Sequence, residues 1–134
     1  MIFLDTGGWV ALSVPGDKNA AAATRLHKEI GRGVHGAIVT TSLVLDEAAT
    51  LVRMETDVPA ASRLLRAVLE GRSVTVVWTG EADFRAALEK FAQHEDKRWS
   101  FTDCASFVVM HELEIATAFT FDHNFEEAGF AILP

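Results

Sequence analysis

The chain has a single cysteine in 134 residues, so it forms no internal disulfide, and nothing argues for an oxidising compartment. One cysteine also excludes a Cys-rich zinc cluster. The five histidines, His27, His35, His94, His111 and His123, show no HExxH-type spacing, and only His123 falls near the acidic positions discussed below. No apolar run reaches the roughly 18 residues of a membrane span. The first residues carry Asp5 where a leader would carry positive charge before an apolar stretch, so the chain reads as cytosolic, with no membrane association. There is no glycine-rich phosphate loop either, because the spaced glycines Gly31, Gly33 and Gly36 precede a strand instead of following one and opening a helix. Basic charge is scarce: 12 Lys and Arg face 19 Asp and Glu, for a net charge of −7. That balance excludes a protein coating nucleic acid through a general basic surface, which needs many phosphate-neutralising cations. It leaves room for a narrower track built from residues such as Arg32, Lys97 and Arg98, although each also reads as an ordinary solvated charge.

What is present is a hydrophobic fraction of 49%, enough for one globular domain over residues 1–134 that buries roughly two thirds of its unfolded surface. No linker, repeat or low-complexity stretch divides it. Met1 to Leu4 reads as a strand, with Asp5-Thr6-Gly7-Gly8 as the turn after it. Asp17 to Ile30 reads as a helix stopped by glycines, Gly36 to Thr40 as a second strand, and Ser42 to Thr56 as a strong helix. Pro59 opens a further helix ending near Gly71, and the β-branched Val74 to Trp78 is a third strand. Gly80 to about His94 and Thr102 to Glu114 are helical, and Ala116 to Phe121 and Phe130 to Leu133 supply the last strands. Strands separated by helices imply a parallel sheet, because parallel neighbours need crossover connections. The expected architecture is therefore α/β: three αβα layers around a central parallel sheet of about five strands.

In such sheets ligands bind outside the carboxyl ends of the strands. Four carboxylates stand where this alternation brings them together: Asp5 after the first strand, Glu47 within a helix, Asp103 opening a helix, and Asp122 after Ala118-Phe119-Thr120-Phe121. Each has an ordinary alternative. Asp5 suits a turn, Asp122 suits a turn in Asp122-His123-Asn124, and Asp103 completes a capping box with Ser100. Glu47 resists such a reading. At about 100° per residue, Leu43, Leu51 and Met54 fall within roughly 40° of it, so it points where the apolar side points, at high cost unless paired, protonated or metal-bound. Asp103 likewise shares a meridian with Phe107 and Met110. Acids converging on one crevice repel unless a cation neutralises them, and oxygen-only ligands favour Mg²⁺ or Mn²⁺ over zinc.

Other residues point to less. Cys104, in an apolar helix, reads as a buried small hydrophobe, and Trp9 and Trp78 as core. Lys97-Arg98-Trp99 reads either as a stacking and phosphate contact or as an exposed loop with a packed Trp. A phosphoacceptor receiver domain is disfavoured, since it needs an aspartate after the third strand, where this chain has Val76-Val77-Trp78-Thr79.

Four segments carry a resemblance: Phe3-Leu4-Asp5-Thr6, Thr41-Ser42-Leu43-Val44-Leu45-Asp46-Glu47, Ser100-Phe101-Thr102-Asp103-Cys104, and Thr120-Phe121-Asp122-His123-Asn124-Phe125. In order and spacing, across essentially the whole chain, they resemble the PIN domain ribonucleases and, among them, the VapC-type toxins of toxin–antitoxin pairs. The chain departs from the family at Gly7-Gly8, where a residue with a side chain is more usual. The resemblance implies Mg²⁺-dependent (or Mn²⁺-dependent) hydrolysis of RNA phosphodiesters, with Asp5 and Asp103 as the main metal ligands and Glu47 and Asp122 contributing directly or through water. Thr6, Thr102 and Asn124 would orient carboxylates or waters, or serve as ordinary turn and cap residues. It further implies a homodimer and a cognate antitoxin offering Arg or Lys to the acids. A mean hydropathy of +0.18 and the apolar helices 42–56 and 59–69 agree with helix surface covered by another chain. The alternative is an inactive PIN-like scaffold that binds RNA or protein without cleaving.

Overall fold

A computed structural model describes all 134 residues. Five strands, β1 (Ile2–Leu4), β2 (Ile38–Thr41), β3 (Val74–Val77), β4 (Thr117–Phe119) and β5 (Ala131–Leu133), form one sheet in the order β3-β2-β1-β4-β5. Every neighbouring pair is parallel, as the strand–helix alternation predicts. β1 lies at the centre with all three residues buried, and a strand covered on both faces needs the continuous apolar run Ile2-Phe3-Leu4 that it has. Seven helices accompany the sheet: α1 (Thr6–Ser13), α2 (Ala20–Gly31), α3 (Ser42–Glu55), α4 (Val58–Glu70), α5 (Glu81–Gln93), α6 (Phe101–Glu112) and α7 (Asn124–Glu127).

Local chemistry sets the helix starts that matter for the site. Thr41 ends β2 and caps α3, its hydroxyl accepting from Val44 N–H at 3.1 Å. Ser100 and Asp103 form the expected capping box on α6, each side chain accepting from the other's backbone N–H at 3.0 Å. The chain after β1 departs from expectation. Thr6 to Ser13 is helical where the sequence reads as a turn, because Gly8 is there for packing: a Cβ on it would stand 2.9 Å from Leu4 Cδ2 and 3.1 Å from the Phe119 carbonyl oxygen. α1 therefore lies hard against β1 and β4, in a space that only glycine fits.

Twenty-nine buried apolar residues form one continuous core. Phe107 of α6 meets Trp99 at 5.1 Å and Phe125 at 5.0 Å between centroids, both edge-on, which ties α6, the loop before it and α7 together. Two expectations about packing are corrected. Trp78 is 66% exposed, since it lies beyond the end of the edge strand β3 and not in the core. On α3 the core face is Val44, Leu45, Ala48 and Val52, whereas Leu51 and Met54 are exposed. Trp9 and Cys104 are buried as expected.

Candidate active site

The strand order reverses at β1, whose partners β2 and β4 follow it in sequence on opposite sides. Such a switch point opens a crevice at the carboxyl ends of the strands. Asp5 directly follows β1, and its backbone N–H donates to the Phe119 carbonyl of β4 at 3.1 Å, which fixes Asp5 between the two strands. A crevice of about 280 Å³ lies there, lined by Asp5, Glu47, Asp103 and Asp122 together with Thr6, Gly7, Leu51 and Phe121. All four acids singled out from the sequence share this crevice. A larger cavity of about 420 Å³, beside Trp9, Leu64 and Val68, contains none of them.

Asp5 is buried and precedes α1 without capping it, so its carboxylate is not consumed by a helix terminus. Oδ2 accepts the Thr120 hydroxyl at 2.9 Å. Burial pushes the Asp5 carboxyl up to about 7, with the Thr6 N–H and the Thr120 hydroxyl opposing the shift and the charges of Asp103 and Asp122 adding to it. Asp103 is likewise raised, first by burial and further by Asp122, against the stabilising Ser100 N–H and Asn124 amide. Both are held inward by their elements: Asp103 sits on the same side of α6 as the buried Phe107 and Met110. Its capping role and its place in the crevice coexist.

Asp122 also fills two roles. Its Oδ1 accepts from Asn124 N–H at 2.9 Å, the turn the sequence suggests, while the residue lines the crevice. Glu47 is half-buried and reaches the crevice, but for a different reason from the one its helical angle implies. The Leu51 beside it is exposed and forms a crevice wall, so Glu47 lies on the rim of the apolar face and not within it.

Of the three short polar residues, Asn124 is the most engaged. Its Nδ2 lies 3.1 Å from Asp103 Oδ2, 3.4 Å from Asp122 Oδ2 and 3.5 Å from the Arg98 carbonyl. Thr6 lines the crevice with a buried hydroxyl that has no hydrogen-bond partner. Thr102 is not brought in: it does not line the crevice, and its carbonyl accepts the Ser106 hydroxyl at 2.9 Å. His123 stays outside as well, exposed and 2.6 Å from Glu126. Thr120 is the residue that sequence reasoning missed. It donates to Asp5 and accepts from Asp122 N–H at 3.0 Å, joining two acids; the signal was its place two residues before Asp122.

The donor set suits a hard divalent cation. It consists of oxygen atoms from four carboxylates and one unpartnered hydroxyl, with buried acids that resist ionisation for want of positive charge. No three Asp, Glu, His or Cys side chains stand close enough to chelate an ion as placed. Asp5 Oδ2 and Asp103 Oδ2 are turned to protein donors.

Comparison with known proteins follows the same lines. The PIN domain matches residues 2–131. The chain is 34% identical over 135 residues to the 23S rRNA-specific endonuclease VapC20 of Mycobacterium tuberculosis, covering 97% of this chain and 95% of that protein. The crystal structure of Mycobacterium tuberculosis VapC20, described as a Sarcin-Ricin loop cleaving toxin, superimposes with a TM-score of 0.90 at 30% identity, over 100% of both chains. The chain therefore belongs to the PIN domain family, in its VapC-type branch.

Proposed function

We propose that residues 1–134 form a single nuclease domain that hydrolyses RNA phosphodiester bonds with Mg²⁺ or Mn²⁺ bound among Asp5, Glu47, Asp103 and Asp122, and that it acts as the toxin of a toxin–antitoxin pair. The observation that carries this reading is the convergence of four carboxylates on one crevice at the carboxyl end of β1, with the buried Asp5 among them. A bound cation would offset the cost of burying Asp5 and Asp103 as charged carboxylates beside Asp122. Similarity to an rRNA endonuclease over nearly the whole chain supports RNA as the substrate class.

Asp5 and Asp103 are the principal ligands in this account, being the two most buried acids, with Glu47 and Asp122 completing the charge from the rim. A bound divalent ion supplies two things, acidification of water and neutralisation of charge on the phosphate and the leaving oxygen. The chain's own residues do the positioning. Thr120 holds the Asp5 carboxylate toward the crevice, and Asn124 holds Asp103 and Asp122 in a fixed mutual orientation. Leu51 and Phe121 supply the apolar part of the crevice lining.

The partners proposed are an RNA substrate, a second copy of the chain and an antitoxin that reaches the acids with Arg or Lys. Support for chain–chain contact comes from half-exposed Phe84, Leu88 and Phe91 along α5, with Trp78 nearby in sequence and exposed, and from Met54 and Val58 at the α3–α4 junction. A catalytically inactive scaffold of the same fold is the competing reading. RNA incubated with the purified chain separates them: cleavage that appears with Mg²⁺ or Mn²⁺ and stops with EDTA supports the nuclease, and intact RNA under all metals supports the scaffold.

A further inference from the structure

An acidic crevice on a chain of net charge −7 cannot by itself retain a polyanion. The hydrogen-bond network of the crevice reaches one cationic residue. Asn124, which holds Asp103, also approaches the carbonyl of Arg98 at 3.5 Å. Arg98 belongs to the loop 94–99, where a turn is closed by Lys97 N–H donating to the His94 carbonyl at 3.0 Å. Lys97 and Arg98 are both exposed, and neither belongs to any of the four ion pairs of the molecule, although Glu95 and Asp96 precede them.

The aromatic of this loop is not free to stack on a base. Trp99 is 92% buried, edge-on to Phe107, with His94 over it at 4.7 Å and Lys90 at 6.0 Å from the ring centroid. Its role is to pin the loop to the core, so that two solvated cations stand on a rigid base. A hollow of about 510 Å³ on this loop is bounded by His94, Glu95, Lys97, Arg98 and Trp99, with one acid among its cations.

We propose that Lys97 and Arg98 are positioning contacts for the RNA strand, gripping the phosphates that flank the one held in the crevice. This rests on the nuclease reading. Asn124 and Ser100 tie the backbone of this loop to Asp103, so the loop adjoins the place where a scissile phosphate beside Asp103 would lie. Arg98 offers a planar fork for phosphate oxygens, and Lys97 a point charge.

The test is binding of a single-stranded RNA oligonucleotide in Mg²⁺ over a KCl series, in the Asp103→Asn background so that the RNA stays whole. Two lost phosphate contacts flatten the slope of log K against log salt by about 1.4. Lys97→Gln with Arg98→Gln is expected to show that change, Lys97→Arg with Arg98→Lys to keep the original slope, and Arg66→Gln on α4 to leave it untouched. An unchanged slope in the double glutamine variant, or an equal flattening in Arg66→Gln, overturns the proposal. Cleavage by the unmodified chain is measured alongside. If it cleaves RNA with Mg²⁺ while the slope stays fixed, only the loop assignment fails. If the slope falls but no RNA is ever cut, the loop grips RNA and the nuclease reading fails.

Discussion

Thr120 and Asp5 lie 115 residues apart and are joined by a 2.9 Å hydrogen bond in which the threonine hydroxyl donates to the carboxylate. The same oxygen accepts from Asp122 N–H, so one side chain sets the positions of two of the four acids. Thr120→Val removes both contacts in a buried place and leaves the Asp122 N–H without its partner. We expect metal-dependent cleavage to fall roughly 10-fold to 100-fold, with Thr120→Ser retaining most of it. Rate measurements over an Mg²⁺ series check this; equal activity in Thr120→Val would remove the residue from the site.

The raised Asp5 carboxyl gives the metal-free protein a definite pH dependence. Folded Asp5 takes up its proton near pH 7 and the unfolded chain near 3.8, so between these values the folded state binds more protons. Stability therefore falls as pH rises through that window, by up to about 4 kcal/mol for this group alone. Urea unfolding in EDTA at pH 5 and pH 8 should show the loss, and Asp5→Asn should lessen it while making the metal-free fold more stable at pH 8. The same change in stability from pH 5 to pH 8 in wild type and Asp5→Asn would show that Asp5 ionises without penalty.

Two helical glycines should respond in opposite directions to the same change. Gly8→Ala places a methyl group 2.9 Å from Leu4 Cδ2 and 3.1 Å from a backbone oxygen, and should cost about 1–3 kcal/mol. Gly31, at the end of α2, has nothing within 4 Å of an added Cβ, so Gly31→Ala should be neutral or stabilise by up to about 1 kcal/mol. Thermal unfolding of both variants reads the contrast directly.

These glycines also show where the sequence stops being legible. The alternation of strands and helices specifies a parallel sheet, and Asp5, Asp103 and Asp122 announce themselves beside strand ends or on an apolar helix face, whereas Glu47 stands out through a stripe of Leu43, Leu51 and Met54 that is not the core face. Gly7-Gly8 carries the local signature of a turn, and only the approach of Leu4 and Phe119 explains why a helix needs glycine there. The apolar stripe of α3 is ambiguous for a similar reason. Leu43, Leu51 and Met54 form a face as plausible by angle as Val44, Leu45, Ala48 and Val52, and only the position of the sheet chooses the second. Thr120 is invisible as the partner of Asp5 because nothing local records a contact across 115 residues. Asn124 is singled out in the sequence, and a side-chain amide two residues from an acid is a natural clamp.

The apolar stripe on α5 leads to an assembly prediction. Light scattering at micromolar concentration should report about twice the 14.6 kDa of one chain. Leu88→Glu, which puts a charge between half-exposed Phe84 and Phe91, should shift the mass to that of the monomer without unfolding it. A monomer mass for the unmodified chain would count against the dimer.

The central claim is that the carboxylate crevice holds a divalent cation and cuts RNA with it. Its most direct measurement is the cleavage rate of one defined RNA across an Mg²⁺ titration, for the unmodified chain and for Asp103→Asn, with circular dichroism confirming that both are folded. Cleavage should rise from nothing in EDTA to saturation with Mg²⁺ in the unmodified chain, and fall by roughly 100-fold or more in Asp103→Asn with the fold intact. Undiminished cleavage in EDTA, or full activity in folded Asp103→Asn, would contradict the account.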